Sequence, residues 1–71
     1  MKVINHIRDI RQKKGITQMK MAEDLQVTRQ TINAIERNKY NPSLELALKL
    51  TAYFDRPIDD IFILKKENKR V

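Results

Sequence analysis

The stretch TQMKMAEDLQVTRQTINAIE, Thr17 to Glu36, carries two short amphipathic segments, with only Gln26 and Val27 between the end of one and the cap of the next. No other feature limits the fold as strongly. Thr17 and Thr28 stand where helix N-caps belong, because a threonine hydroxyl accepts from an otherwise unpaired backbone N–H of the first turn. Met21, Ala22 and Leu25 form the inward face of the first helix, and Ile32 and Ile35 that of the second. Two short helices joined so tightly cannot lie side by side as a hairpin. They must cross steeply, with small Ala22 allowing a close approach.

That crossing is helix-turn-helix geometry, and the flanking sequence supplies helices to pack around it. The spacing of Ile4, Ile7, Ile10 and Arg11 predicts a first helix. Lys13 and Lys14 suit its negative end, and Gly15 is its stop. NKYNPS reads as a loop. Ser43 caps a fourth helix with Glu45 in its first turn, and Leu46, Ala47, Leu50 and Phe54 face the core. Leu44, Leu48 and Tyr53 are left over, and a helix apolar on more than one face often has a second partner. DRPIDDIF reads as a short fifth helix, with Asp55 or Arg56 before it and Pro57 near its first turn. Ile63 and Leu64 can continue as a short strand, with MKVI as an antiparallel partner.

Composition narrows the function. At 71 residues a single domain is expected, with its core at about residues 4–62 and a basic strand or tail at 63–71. There is no cysteine to form a disulfide or thiolate metal site, and one glycine and two prolines argue for helices over a barrel of tight turns. No apolar run approaches the roughly 18 residues of a membrane span, and the N-terminus lacks the apolar core of a signal peptide. A cytoplasmic protein is the default. Fifteen Lys and Arg against nine Asp and Glu give a net charge of +6. That bias points to a polyanion, nucleic acid before membrane, although solubility alone also accounts for such a charge. His6, the lone histidine, is expected to be solvated, and Met19 and Met21 to serve packing.

The ordered set of TQ at Thr17–Gln18, Ala22, the V-[ST]-x-x-[ST]-I pattern from Val27 to Ile32, Ile35–Glu36 and NPS at 41–43 resembles the Cro/CI-type, or XRE, helix-turn-helix regulators, and the likeness runs from about Ile7 to Phe62. The resemblance implies a compact, all-α, five-helix, lambda-repressor-like domain that binds operator DNA as a homodimer and regulates transcription. It implies base contacts by Thr28, Arg29, Gln30, Thr31, Asn33 and Ala34. It implies phosphate contacts near the start of the second helix by Thr17 and Gln18, and by Lys39, Tyr40 and Asn41 in the loop after the third. It also implies an ion pair between Arg11 and Glu36. Two glycines common in the family are missing: Gln26 occupies the turn, and ERNK replaces Glu-Asn-Gly-Lys. A turn that keeps φ > 0 at Gln26 costs about 1–2 kcal/mol.

The chemistry agrees with these assignments. An α-helix fits the major groove, where an arginine can donate twice to guanine O6 and N7 and a glutamine can match adenine N6 and N7. Arg29 and Gln30 stand at the helix start that recognition helices present to bases, and the methyls of Thr28, Thr31 and Ala34 suit thymine. A plain solvated helix face is the alternative for this row. Ile58, Ile61 and Phe62 are too many apolar residues for one small chain to bury, and are assigned to a dimer interface. The expected partners are double-stranded DNA and a second copy, with no membrane, cofactor, metal or small-molecule ligand. An antitoxin that represses its own operon, or a protein-interaction module without DNA binding, are the other readings. An enzyme is not expected, since the chain has no metal-spaced cluster and no phosphate-cradling glycine loop.

Overall fold

A computed structural model describes residues 1–66. The elements in order are β1 (Lys2–Asn5), α1 (Ile7–Lys13), α2 (Gln18–Leu25), α3 (Arg29–Glu36), α4 (Leu44–Phe54), α5 (Ile58–Ile61) and β2 (Phe62–Lys65). The last residues of the expected basic tail, 67–71, lie outside the described part.

All three hydroxyl caps form. Thr17 accepts from the backbone N–H of Lys20, Thr28 from that of Thr31 and Ser43 from that of Leu46. The helix ends follow a common rule. After α1, α2, α3 and α4, a left-handed residue (Gly15, Gln26, Asn38 or Asp55, at φ +72°, +60°, +60° and +55°) lets the next backbone N–H reach a carbonyl five residues back. The four long bonds are Ile16 to Arg11, Val27 to Ala22, Lys39 to Ala34 and Arg56 to Thr51. This closure favours glycine, yet only the first helix has it. Gln26 therefore keeps the left-handed turn at its steric cost. Asn38 takes the place of the missing loop glycine, and asparagine and aspartate tolerate this conformation better than most residues.

Ile7, Ile10, Met21, Ala22, Leu25, Ile32, Ile35, Leu46, Leu50, Phe54 and Ile61 form one core, with Ile16 and Val27 of the helix closures packed against it. Of the two methionines read as packing residues, Met21 is buried and Met19 is exposed.

The beginning of the chain departs from the helical reading. Ile4 is not on α1 but in β1, where it pairs with Ile63 of an antiparallel β2, and Lys2 pairs with Lys65. Asn5 sets the boundary: its Oδ1 accepts from the Ile7 backbone N–H at 3.2 Å, and its Nδ2 donates to the Ile35 carbonyl at 2.8 Å. A short amide that bonds nearby backbone competes with helix formation. The sheet is stitched to α5 by the His6 N–H, which donates to the Ile61 carbonyl at 2.8 Å.

Ile61 also corrects the expected interface. It is 0% exposed, part of the single chain's own core, and so offers no surface to a partner. Phe62 is half-buried as the first residue of β2, while Ile58 is exposed. The four-residue α5 turns Ile61 inward as β2 begins, and this closes the core that the sequence alone left open.

Candidate nucleic-acid interface

Helix α3 begins at Arg29, held by the Thr28 cap. Its buried stripe, Ile32 and Ile35, fixes the orientation of the helix and turns Thr28, Arg29 and Gln30 outward, all three exposed. No hydrogen bond or ion pair among the described residues holds the Arg29 or Gln30 side chain, so both forks are free to donate. Thr31, Asn33 and Ala34 are half-buried along the flank. The Thr28 and Thr31 hydroxyls lie 2.9 Å apart, and Thr28 also accepts from the Thr31 N–H. Sharing one bond between them leaves a single free O–H for the pair, so their methyl groups are the larger part of what they offer.

Thr17 is exposed, and its oxygen accepts from the Lys20 N–H at 3.0 Å, leaving its own proton to donate. Lys39, Tyr40 and Asn41 are exposed in the loop between α3 and α4. Gln18 is different. It is half-buried, and its Nε2 donates to Glu36 Oε1 at 3.0 Å and to Asn33 Oδ1 at 3.3 Å.

Glu36 is the hub beneath this face. Arg11 Nε donates to its Oε2 at 2.6 Å and Arg11 Nη2 to its Oε1 at 3.1 Å, while Arg11 Nη1 donates to the Ile16 carbonyl at 2.9 Å. The two side chains are 9% and 2% exposed. The pair thus ties α1 to the last turn of α3 in a fork geometry that a lysine could not reproduce. Sequence reasoning placed this pair correctly but missed its link to Gln18 and Asn33.

Two further cations were also missed. Arg8 and Arg37 line the same cleft as Gln18, Asn33 and Glu36. Both are exposed, and neither has a carboxylate partner among the described residues. For Arg37 the signal was present in the spacing, since Arg29, Asn33 and Arg37 succeed one another at i, i+4 and i+8. Arg29 at the start of α3 and Arg37 at its end, with Arg8 of α1 across the cleft from Arg37, add the positive charge that a polyanion site requires.

The far end of α2 carries a second tether. Tyr53 of α4 donates its hydroxyl to Asp24 Oδ2 at 2.6 Å, and Lys20 lies 3.1 Å from Asp24 Oδ1. Burial and then the Asp24 bond push the Tyr53 phenol up to about 12. The Tyr53 and Lys20 bonds hold the Asp24 carboxyl below its ordinary value. No group of three or more His, Asp or Glu among the described residues is placed to hold a metal, and no helix among them is long and apolar enough to cross a membrane.

Comparison with known proteins agrees with this geometry. A helix-turn-helix family model matches residues 7–61. An uncharacterized HTH-type transcriptional regulator of Bacillus subtilis, YgzD, is 44% identical over 64 residues, spanning 90% of this chain and 97% of that one. An uncharacterized HTH-type transcriptional regulator of Archaeoglobus fulgidus is 46% identical over 61 residues, covering 86% of this chain and 87% of its own. A crystal structure from Bacteroides fragilis shares the fold with a TM-score of 0.78 at 23% identity, covering 86% of this chain and 98% of that chain.

Proposed function

The chain belongs to the helix-turn-helix family of DNA-binding transcriptional regulators, a class of binding proteins and not of enzymes, and within it we propose that it is a sequence-specific cytoplasmic repressor. In this reading a homodimer binds a palindromic operator with one α3 in the major groove of each half-site. Half-sites about one helical turn apart, roughly 34 Å, suit such a dimer. The observation that carries the proposal is the first turn of α3, where Arg29 and Gln30 stand exposed and unpartnered at the end that recognition helices aim at base edges.

Arg29 and Gln30 read bases, joined by Asn33 and by the methyl groups of Thr28, Thr31 and Ala34. Thr17, Lys39, Tyr40 and Asn41 hold the flanking phosphates, with Gln18 contributing its backbone N–H at the positive helix end. The second copy docks through exposed apolar side chains. Ile58 at 46% exposed and half-buried Phe62 remain from the sequence assignment, and Leu44 and Leu48 of α4, at 73% and 54%, join them. Sedimentation tests this face. Leu48→Asp combined with Ile58→Asp gives a folded monomer, whereas an intact dimer places the interface elsewhere.

Selection from random duplexes, followed by binding at several salt concentrations, tests the whole reading. The expected result is a palindrome preferred by at least about 10³ over random DNA. Weak binding without a winner, falling steeply with salt, would reduce the basic charge to an electrostatic handle. Within that assay Arg29→Ala relaxes preference at one base pair. Lys39→Ala weakens binding to every sequence and lowers the salt slope by about one.

A further inference from the structure

The carboxylate of Glu36 settles a question that an amide cannot settle for itself. A glutamine can turn either its oxygen or its nitrogen toward a neighbour, and the two are told apart by what they face. An ionised carboxylate only accepts, so the end of Gln18 facing Glu36 Oε1 at 3.0 Å is Nε2. That nitrogen has two protons. The second is directed to Asn33 Oδ1 at 3.3 Å. Both donors of Gln18 are therefore spent inside the protein, and its free group is a carbonyl oxygen, which repels a phosphate. Asn33 is oriented in turn: its oxygen faces Gln18, and its Nδ2 is left without an internal acceptor among the described residues, beside Arg29 and Gln30 at the surface.

We propose that Glu36, acting through Gln18, fixes the orientation of the Asn33 amide so that α3 presents Asn33 to DNA as a hydrogen-bond donor. Asn33 is thereby a specificity-determining residue, and Gln18 and Glu36 are positioning residues behind it. The inference rests on the reading of α3 as a major-groove helix. The Arg11–Glu36 pair then has a role beyond stability, since its two bonds hold the buried Glu36 carboxylate in place facing Gln18. A donor at this position favours bases with acceptor edges, guanine above all with O6 and N7, and rejects cytosine, whose exposed major-groove group is the N4 donor.

The test has one arm without DNA and one with it. In the free protein, 15N spectra should show the Gln18 side-chain amide protons protected from exchange with water. Glu36→Gln, whose new amide can either donate or accept, should remove that protection. Rapid exchange in the wild type overturns the clamp. In the second arm, binding is measured to the selected operator with each of the four bases in turn at every half-site position. Asn33→Ala identifies the position it reads. There the wild type should reject cytosine by about 5- to 100-fold, while Gln18→Met and Glu36→Gln should cut that rejection to about 3-fold or less. Gln18→Met leaves the Arg11–Glu36 pair in place and keeps the test valid where Glu36→Gln does not fold. An unchanged rejection of cytosine in folded Gln18→Met overturns the proposal. A wild type that binds all duplexes alike instead overturns the DNA reading, and the specificity claim falls with it, while the amide signals still report on the clamp itself.

Discussion

The two ends of α2 are fastened by the same chemistry in opposite surroundings. At the N-terminal end, Glu36 accepts from Arg11 and Gln18 with 2% of its side chain exposed. At the C-terminal end, Asp24 accepts from Tyr53 and faces Lys20 with 30% exposed. Each is a carboxylate gripped from two sides, with a shortest bond of 2.6 Å in both cases. The shortest bond therefore does not distinguish them, and Glu36 accepts only one bond more than Asp24, three against two. Burial distinguishes them: losing a partner inside leaves a charge that water cannot reach, while losing one outside exchanges a protein bond for a water bond.

The largest expected effect tests that contrast at its buried end. Glu36→Ala leaves Arg11 buried without its acceptor and costs about 3–5 kcal/mol. Against a total stability of roughly 5–15 kcal/mol for a domain, that removes much of the fold, and urea unfolding measures it. A loss below about 1 kcal/mol would make the two ends energetically alike and break the comparison.

Tyr53→Phe probes the exposed end and costs about 1 kcal/mol by the same measurement. Its pH dependence sharpens the point. The Tyr53 phenol is raised in the fold, so its contribution is fully present below the ordinary value of 10.0 and is lost as pH rises toward about 12. The Asp24 carboxyl is lowered in the fold, so its contribution is present above 3.8 and is lost as pH falls below that. The stability gap between wild type and Tyr53→Phe is thus widest between these limits and narrows on both sides. A gap independent of pH would mean that the hydroxyl acts through packing alone.

Gln26→Gly, in the left-handed closure just beyond the same end of α2, raises stability by about 1 kcal/mol by removing the Cβ clash, less whatever the unfolded chain gains in freedom. Lys20→Ala is the smallest change, within about 0.5 kcal/mol, because an exposed i,i+4 pair contributes little and salt screens it. A larger loss there would indicate that Lys20 does more than face Asp24.

Legibility in the sequence followed the distance between partners. The caps at Thr17, Thr28 and Ser43 were readable because each hydroxyl bonds a backbone N–H three residues on. The positive φ at Gln26 was readable as a missing glycine. Ile4 received two places, on the first helix and in the MKVI strand, because an i, i+3 spacing of isoleucines fits either a helix or the end of a strand; only the strand forms, with Ile63 from the other end of the chain as its partner. Arg8 was overlooked because its cleft with Arg37 exists only once α1 and α3 are packed together, whereas Arg37 was legible at i+8 from Arg29.

By itself, then, the sequence determined the helices, their capped starts, the tight α2–α3 corner and the outward row from Thr28 to Gln30, since each follows from bonds and periodicities within a few residues. The tertiary structure alone decided that Ile61 is core while Ile58 is surface, that Ile4 belongs to the expected terminal sheet and not to the first helix, and that Gln18 turns its nitrogen inward. Those outcomes depend on which groups meet across long stretches of chain. The Gln18 amide has no preferred orientation until Glu36, 18 residues away, is folded beside it.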